Sequence, residues 1–139
     1  MTAKTFVDTN ILVYAHDFDA GAKRQTAAAR LSALWENETG AISIQVLHEF
    51  YVTVTRKVSK PLSMAATRAI IENYLAWPVI INNEQTLMHA MEIEERYRLS
   101  FWDALIVAAA CKSKAEILLT EDLSHEQEIE GVRIVNPFR

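Results

Sequence analysis

The chain has 139 residues, of which 14 are Lys or Arg and 18 are Asp or Glu, so its formal net charge is −4. Half of the residues are hydrophobic and 23% are charged, which excludes disordered and fibrous proteins. The three glycines are too far apart to build a dinucleotide-binding or phosphate-binding loop, and the acidic balance argues against a passive nucleic-acid coat.

Short β-prone runs alternate with helical segments along the chain. The predicted strands cover residues 5–7, 40–42, 78–81, 116–120 and 131–135. Two of the predicted helices cover residues 22–35 and 84–98. Three more follow serine N-caps: one runs from Ser43 to about residue 58, one from Ser63 to residue 77 and one from Ser100 to about residue 114. This alternation indicates right-handed crossovers between parallel strands. We therefore expect an α/β fold with a central parallel sheet of about five strands, in a single domain over residues 1–139.

The chain carries no sequence signal for export or for membrane insertion. No basic segment precedes an apolar run near the N-terminus, and the longest apolar run, residues 104–111, is far too short to span a bilayer. Cys111 is the only cysteine, and its apolar surroundings are typical of a small core residue in a reducing compartment. We therefore expect a cytoplasmic protein with no membrane association.

Two of the five aspartates follow predicted strands. Asp8 ends the first strand, and Asp122 comes two residues after the fourth. Ligands of open parallel sheets bind at the carboxyl ends of the strands, so both residues are expected at the functional edge. Each also has a purely structural interpretation. Asp8 could start a turn or cap the next helix, and Asp122 could cap the segment 123–130.

Asp103 is the only charged residue in the otherwise apolar segment 101–111. A helix that is apolar on all sides is buried, and a buried carboxylate needs a partner. A functional role for Asp103 is one explanation of this pattern. The alternative is a capping box, in which Asp103 would bond back to the N-cap Ser100.

Glu49 is the fourth candidate acid, and it lies outside the apolar stripe of the helix that follows Ser43. Its structural alternative is a solvated glutamate. If the four acids meet at one edge of the sheet, their mutual repulsion requires a cation, and oxygen ligands suit Mg²⁺ or Mn²⁺. Such a site can activate water and neutralise charge on a phosphodiester. Three basic pairs could hold the flanking backbone, namely Lys23-Arg24, Arg56-Lys57 and Arg96 with Arg98.

Four segments carry these acids in chain order, and the chain ends in Val135-Asn136-Pro137-Phe138. The segments are Phe6-Val7-Asp8-Thr9-Asn10, residues 43–51 around Glu49, residues 99–108 around Asp103 and residues 117–123 around Asp122. Together they resemble the PIN-domain endoribonucleases and, within that family, the VapC-type toxins of toxin–antitoxin systems. The resemblance extends over the whole chain.

The resemblance implies a Rossmann-like three-layer α/β/α sandwich that cleaves RNA with Mg²⁺ or Mn²⁺. It implies that Asp8, Glu49, Asp103 and Asp122 are the catalytic metal ligands, and that Thr9 or Asn10, together with Thr120, supports them. It also implies a homodimer and a VapB-type antitoxin that obstructs the acidic site. Some members have a further acid after the fourth, for which Glu126 is the candidate because Ser124 and His125 are not acids.

Three other functions remain as alternatives. The first is a PIN-domain nuclease that processes RNA and is not a toxin. The second is a catalytically silent α/β module that binds metal or a partner. A Ser or His hydrolase is disfavoured, because no Gly-x-Ser-x-Gly motif is present and His48 is expected on a helix surface. The helix at 63–77 is a candidate dimer or partner surface, with core packing as the alternative.

Overall fold

The computed structural model describes residues 3–139, which form six strands and six helices. The strands are β1 (Thr5–Val7), β2 (Gly40–Ser43), β3 (Val79–Ile80), β4 (Ile117–Leu119), β5 (Glu128–Ile129) and β6 (Val132–Val135). The helices are α1 (Thr9–His16), α2 (Ala22–Asn37), α3 (Ile44–Arg56), α4 (Met64–Tyr74), α5 (Glu84–Tyr97) and α6 (Phe101–Lys112). Every predicted strand and helix is present, and their ends shift by no more than three residues.

The strands form one mostly parallel sheet in the order β3-β2-β1-β4-β6-β5. The predicted parallel sheet is confirmed, but it has six strands because β5 pairs antiparallel with β6. A tight turn joins these two strands, with Glu130 and Gly131 both at positive φ. The alternative in which Asp122 caps the segment 123–130 is wrong, since residues 121–127 form turns and bends.

The order of the strands places the helices in two layers. The steps from β1 to β2 and β3 run in one direction, and the connection from β3 to β4 returns across the sheet. Because parallel connections are right-handed, outward and return steps put their helices on opposite faces. Helices α1 to α4 therefore cover one face and α5 and α6 the other, as expected for a three-layer α/β/α sandwich.

Serine N-caps begin three of the helices, as predicted. Ser43, Ser63 and Ser100 each accept a hydrogen bond from the backbone N–H three residues later, at 3.0–3.3 Å. Asp8 caps α1 through a bond from the backbone N–H of Thr9, and α1 is the one helix of the described residues that was not predicted. The structural interpretation of Asp8 is thus correct, and it is compatible with a second role at the end of β1.

The core lies between the sheet and its helices. All three residues of β1 are buried, and so is the stretch of α6 from 104 to 110, as its apolar sequence predicted. The small side chains of this stretch allow α6 to pack closely on the sheet. No helix within residues 3–139 is both long and apolar enough to cross a membrane.

Gly40, the first residue of β2, is required by the close approach of Trp77. A Cβ added at Gly40 would lie only 2.6–2.8 Å from three atoms of the six-membered ring of the Trp77 indole. That ring is held by Trp35 and Tyr74, whose centroids lie 4.9 and 5.1 Å from it. We expect Gly40→Ala to lower the free energy of unfolding by about 1–3 kcal/mol, because a packed core must shift to admit the methyl group.

Urea unfolding of a double-mutant cycle tests this expectation. Trp77→Phe removes the ring that the new methyl group would meet. Gly40→Ala should therefore lower the free energy of unfolding clearly less in the Trp77→Phe background than in the wild-type protein. Equal costs in the two backgrounds would show that the glycine is needed for another reason.

Candidate active site

All four predicted acids line a single cavity of about 620 Å³. Asp8 follows β1, Asp122 follows β4, and these strands are neighbours whose last residues, Val7 and Leu119, are in register. Glu49 comes from α3, and Asp103 comes from the first turn of α6. The sheet edge therefore brings together carboxylates that are up to 114 residues apart in sequence, as predicted.

Asp8 is the most enclosed of the four acids, with only 6% of its surface exposed. Its Oδ1 accepts a bond of 2.7 Å from the backbone N–H of Thr9, and its Oδ2 accepts one of 2.8 Å from the Thr120 hydroxyl. Thr120 is completely buried. The carboxylate is consequently fixed in position by groups from the start of α1 and from the end of β4.

Asn10 links Asp8 to Asp122. Its Nδ2 donates to Asp122 Oδ2 at 3.0 Å and lies 3.4 Å from Asp8 Oδ2 and 3.3 Å from the Thr120 hydroxyl. Its Oδ1 accepts a bond from the backbone N–H of Glu121 at 3.3 Å. One amide thus holds the loop after β4 in register with the start of α1.

Glu49 is half-buried and held by two side chains. Its Oε1 accepts a bond of 2.6 Å from the Thr9 hydroxyl, and its Oε2 accepts one of 3.3 Å from Gln45 Nε2. The interpretation of Glu49 as a freely solvated residue is therefore wrong. Gln45 was not predicted as part of the site, although its position four residues before Glu49 puts both on one side of the helix.

Asp103 lines the cavity without forming a capping box. Ser100 accepts the backbone N–H of Asp103 at 3.1 Å, but no side-chain bond returns from Asp103 to the cap. Within residues 3–139, the Asp103 carboxylate has no hydrogen bond or ion pair to another side chain. The capping serine and the half-buried acid therefore have separate roles.

The acids repel one another through the cavity. The pKa of Asp8 is raised from 3.8 to about 7, chiefly by burial and to a lesser extent by the charges of Asp122 and Glu49, while the hydrogen bonds from Thr120 and Thr9 oppose the rise. The pKa of Asp122 is also raised, first by partial burial and then by the charges of Asp103, Glu121 and Glu49. In the described part of the chain, none of the four predicted acids has an ion-pair partner. The cavity thus concentrates four carboxyl groups that no ion pair with a basic residue neutralises.

These side chains fit a divalent cation, although they are not a preformed cage. No group of three or more His, Cys, Asp or Glu residues between 3 and 139 is arranged to hold a metal ion directly. Mg²⁺ usually retains several waters and uses only one or two carboxylates, so it does not require such a cage. The all-oxygen donor set and the unpaired charges match Mg²⁺ or Mn²⁺.

Glu121 has a role that the sequence did not reveal. Its carboxylate accepts hydrogen bonds from the Tyr14 hydroxyl and from Lys23 Nζ, the latter at 2.9 Å. The ring of Phe138 packs edge-on against Tyr14, with centroids 5.3 Å apart. These contacts fasten the loop that carries Asp122, and they occupy one of the basic residues expected to bind phosphate.

Other residues near the predicted site divide into those that line the cavity and those that do not. Lys57, Trp102 and the exposed His48 line it, whereas Glu126 does not. Glu126 instead pairs with Arg133 at 3.0 Å. The candidate for a further acid of the site is therefore engaged elsewhere.

Comparison with solved structures identifies the fold. A toxin–antitoxin complex from Klebsiella pneumoniae is 24% identical, with 96% of this chain and 97% of that chain covered and a TM-score of 0.69. VapC20 of Mycobacterium tuberculosis, described as a toxin that cleaves the sarcin-ricin loop, is 21% identical over 82% of this chain and 86% of that chain, with a TM-score of 0.61. FitAB bound to an IR36 DNA fragment is 17% identical over 97% of this chain and 96% of that chain, with a TM-score of 0.73.

Comparison with protein families gives a more specific result. No curated protein sequence matches the chain. The PIN domain family, however, matches residues 5–127, a segment that runs from β1 past Asp122 and includes all four acids. The match over most of the sequence and the shared fold lead to one conclusion: the chain belongs to the PIN domain family.

Proposed function

We propose that this protein is a metal-dependent endoribonuclease and the toxin of a VapBC-type toxin–antitoxin pair. The observation that carries the proposal is the convergence of Asp8, Glu49, Asp103 and Asp122 on one cavity, where none of the four has an ion-pair partner in the described part of the chain. A stable fold gains nothing from such repulsion, whereas a metal ion bound by such acids can activate water and neutralise charge on a phosphodiester. We further propose that residues 1–139 form one PIN domain.

The four acids would hold Mg²⁺ or Mn²⁺. When bound, the metal supplies an activated water and neutralises charge on the phosphodiester. The carboxylates of Asp8 and Glu49 are kept in position by Thr9, and that of Asp122 by Asn10. Thr120 donates a hydrogen bond from its hydroxyl to Asp8 and so favours the ionised carboxylate that metal binding requires. These supporting residues limit the reorganisation needed when a substrate binds.

RNA would enter along the cavity wall that carries Lys57. This lysine is exposed, lines the cavity, and has no carboxylate partner within residues 3–139. Lys23 and Arg96 are paired with Glu121 and Glu130, so Lys57 is the basic side chain best placed to contact a flanking phosphate.

An antitoxin partner is supported by the solved relatives, among them the toxin–antitoxin complex from Klebsiella pneumoniae. This chain also has an apolar groove between α3 and α4, lined by Ile44, Leu47, Tyr51 and Ile71 among others. The groove shares His48 and Val52 with the acidic cavity, so a segment of antitoxin in it would extend towards the acids. The homodimer, the partner surface on α4 and the cytoplasmic location remain predictions.

Cleavage of a labelled total-RNA pool tests the proposed function. The purified protein, shown to be free of antitoxin, is incubated with Mg²⁺, with Mn²⁺ or with EDTA, beside the Asp8→Asn variant. We expect discrete fragments that require metal and disappear in the variant, because Asp8 is the most tightly held acid of the site. Folded protein that yields no fragments under any condition would refute the nuclease and favour a silent binding module.

A further inference from the structure

Trp102 is an exposed aromatic residue on the wall of the acidic cavity. It is the second residue of α6, and 63% of its surface is exposed, although the helix is buried from 104 to 110. Its ring contacts Phe101 edge-on, with centroids 5.2 Å apart. Leaving so much indole in water costs free energy, so core packing does not explain a tryptophan here.

The neighbours of Trp102 define the chemistry of a ligand. Asp103, one of the four acids, is adjacent in sequence and lines the same cavity, as does Lys57. A ligand that contacts the acids, the lysine and the indole together must carry two kinds of group. It needs phosphates for Lys57 and for the metal that the acids would hold, and a flat apolar unit for the Trp102 ring. A single strand of nucleic acid carries both at the spacing of one nucleotide, and base–aromatic stacking is a common means of binding it.

We propose that Trp102 stacks on an unpaired base next to the phosphate held at the acids, and that this contact positions the RNA for cleavage. The inference rests on the proposed nuclease function and adds a residue that recognises the substrate. In a duplex each base is already stacked on its neighbours, so the same contact disfavours paired RNA at the site. A protein partner on this ring is disfavoured because a peptide offers no phosphate to Lys57 or to the metal that the acids would hold.

Binding can be measured without cleavage in the Asp8→Asn background. A fluorescently labelled 12-nucleotide single-stranded RNA is titrated in Mg²⁺, and its anisotropy reports the affinity. Adding Trp102→Ala is expected to weaken binding by about 5- to 150-fold, the range for one stacked base. Trp102→Phe, which keeps an aromatic face, should lose much less affinity for the RNA. Trp35→Phe is the matched control, since Trp35 is partly exposed but lies on α2 and packs against Trp77.

Tryptophan emission provides a second measurement on the same proteins. Stacking should quench emission when the single strand is added, and the quenching should disappear in Trp102→Phe but persist in Trp35→Phe. The duplex form of the same RNA should quench less. With the acids intact, kcat/KM of Trp102→Ala should fall by a factor similar to the loss of affinity.

The outcomes separate this inference from the proposed function. If the wild-type protein cleaves RNA in a metal-dependent way but Trp102→Ala cleaves and binds equally well, only the stacking role is refuted. Absence of cleavage by the wild-type protein refutes the nuclease itself. If Trp102→Ala leaves binding unchanged and instead converts a dimer to a monomer in light scattering, the ring belongs to a protein interface and the inference is wrong.

Discussion

Replacing Asp103 with Asn is expected to lower RNA cleavage by about 100-fold or more, since even residues that only support metal ligands cost 10- to 100-fold. The free energy of unfolding should change by less than about 1 kcal/mol, the value of an acid in the first turn of a helix. The reason is that the Asp103 carboxylate faces the cavity, while the Ser100 hydroxyl caps α6. Single-turnover cleavage and urea unfolding measure the two effects on the same protein.

Ser100→Ala is the matched control, because it removes the cap and leaves the acid in place. It should lower the free energy of unfolding by about 1 kcal/mol while cleavage persists. The two variants thus have opposite expected profiles. If Asp103→Asn instead destabilised the protein as Ser100→Ala does and still cleaved RNA, Asp103 would be a capping residue without a catalytic role.

The sequence was sufficient to predict the main elements of the fold because their signals are local. Alternating β-prone runs and capped helical segments indicated the parallel sheet, and the all-apolar stretch after Asp103 indicated a buried helix. The equally short β3 lies in the apolar run at 79–81, whereas the strand β5 escaped prediction because its two residues, Glu128 and Ile129, lie in a polar segment. Its pairing depends on the turn at Glu130 and Gly131, whose conformation no hydrophobic pattern encodes.

The four acids could also be predicted, but the contacts that hold them could not. Asp8 and Asp122 each follow a strand, and the topology of a parallel sheet is enough to bring them to one edge. The bond from Asn10 to Asp122 joins residues 112 positions apart, and that from Lys23 to Glu121 joins residues 98 apart. Such pairs depend on side-chain packing across separate elements, so Glu121 resembled a solvent-exposed residue in the sequence alone.

The second large effect is expected in stability and concerns Asp8 in metal-free protein. A rise of its pKa from 3.8 to about 7 corresponds to roughly 4 kcal/mol between the protonated and ionised carboxyl group. The folded state holds this proton more tightly than the unfolded chain does. The resulting stability is therefore complete below about pH 4, is lost as the pH rises to about 7, and stays absent above that.

Asp8→Asn should consequently be more stable than the wild-type protein at pH 8 in EDTA, by about 1–3 kcal/mol. This gain is smaller than the full cost of the charge, because the amide nitrogen cannot accept the bond from Thr120, worth about 1 kcal/mol. Below pH 4 the wild-type protein should be the more stable of the two. Both side chains are then neutral, and only the variant lacks the bond from Thr120. Urea unfolding at the two pH values measures the difference.

Adding Mg²⁺ at pH 8 should also make the wild-type protein more stable than Asp8→Asn, for a different reason. The wild-type protein gains stability by binding the cation only when folded, whereas Asp8→Asn has lost a ligand and the charge that attracts the metal. Glu92→Gln, an exposed acid on α5, should respond to Mg²⁺ as the wild type does. If Asp8→Asn were less stable in EDTA and responded equally to Mg²⁺, Asp8 would be only the cap of α1, because an acid that merely caps a helix stabilises the fold with or without metal.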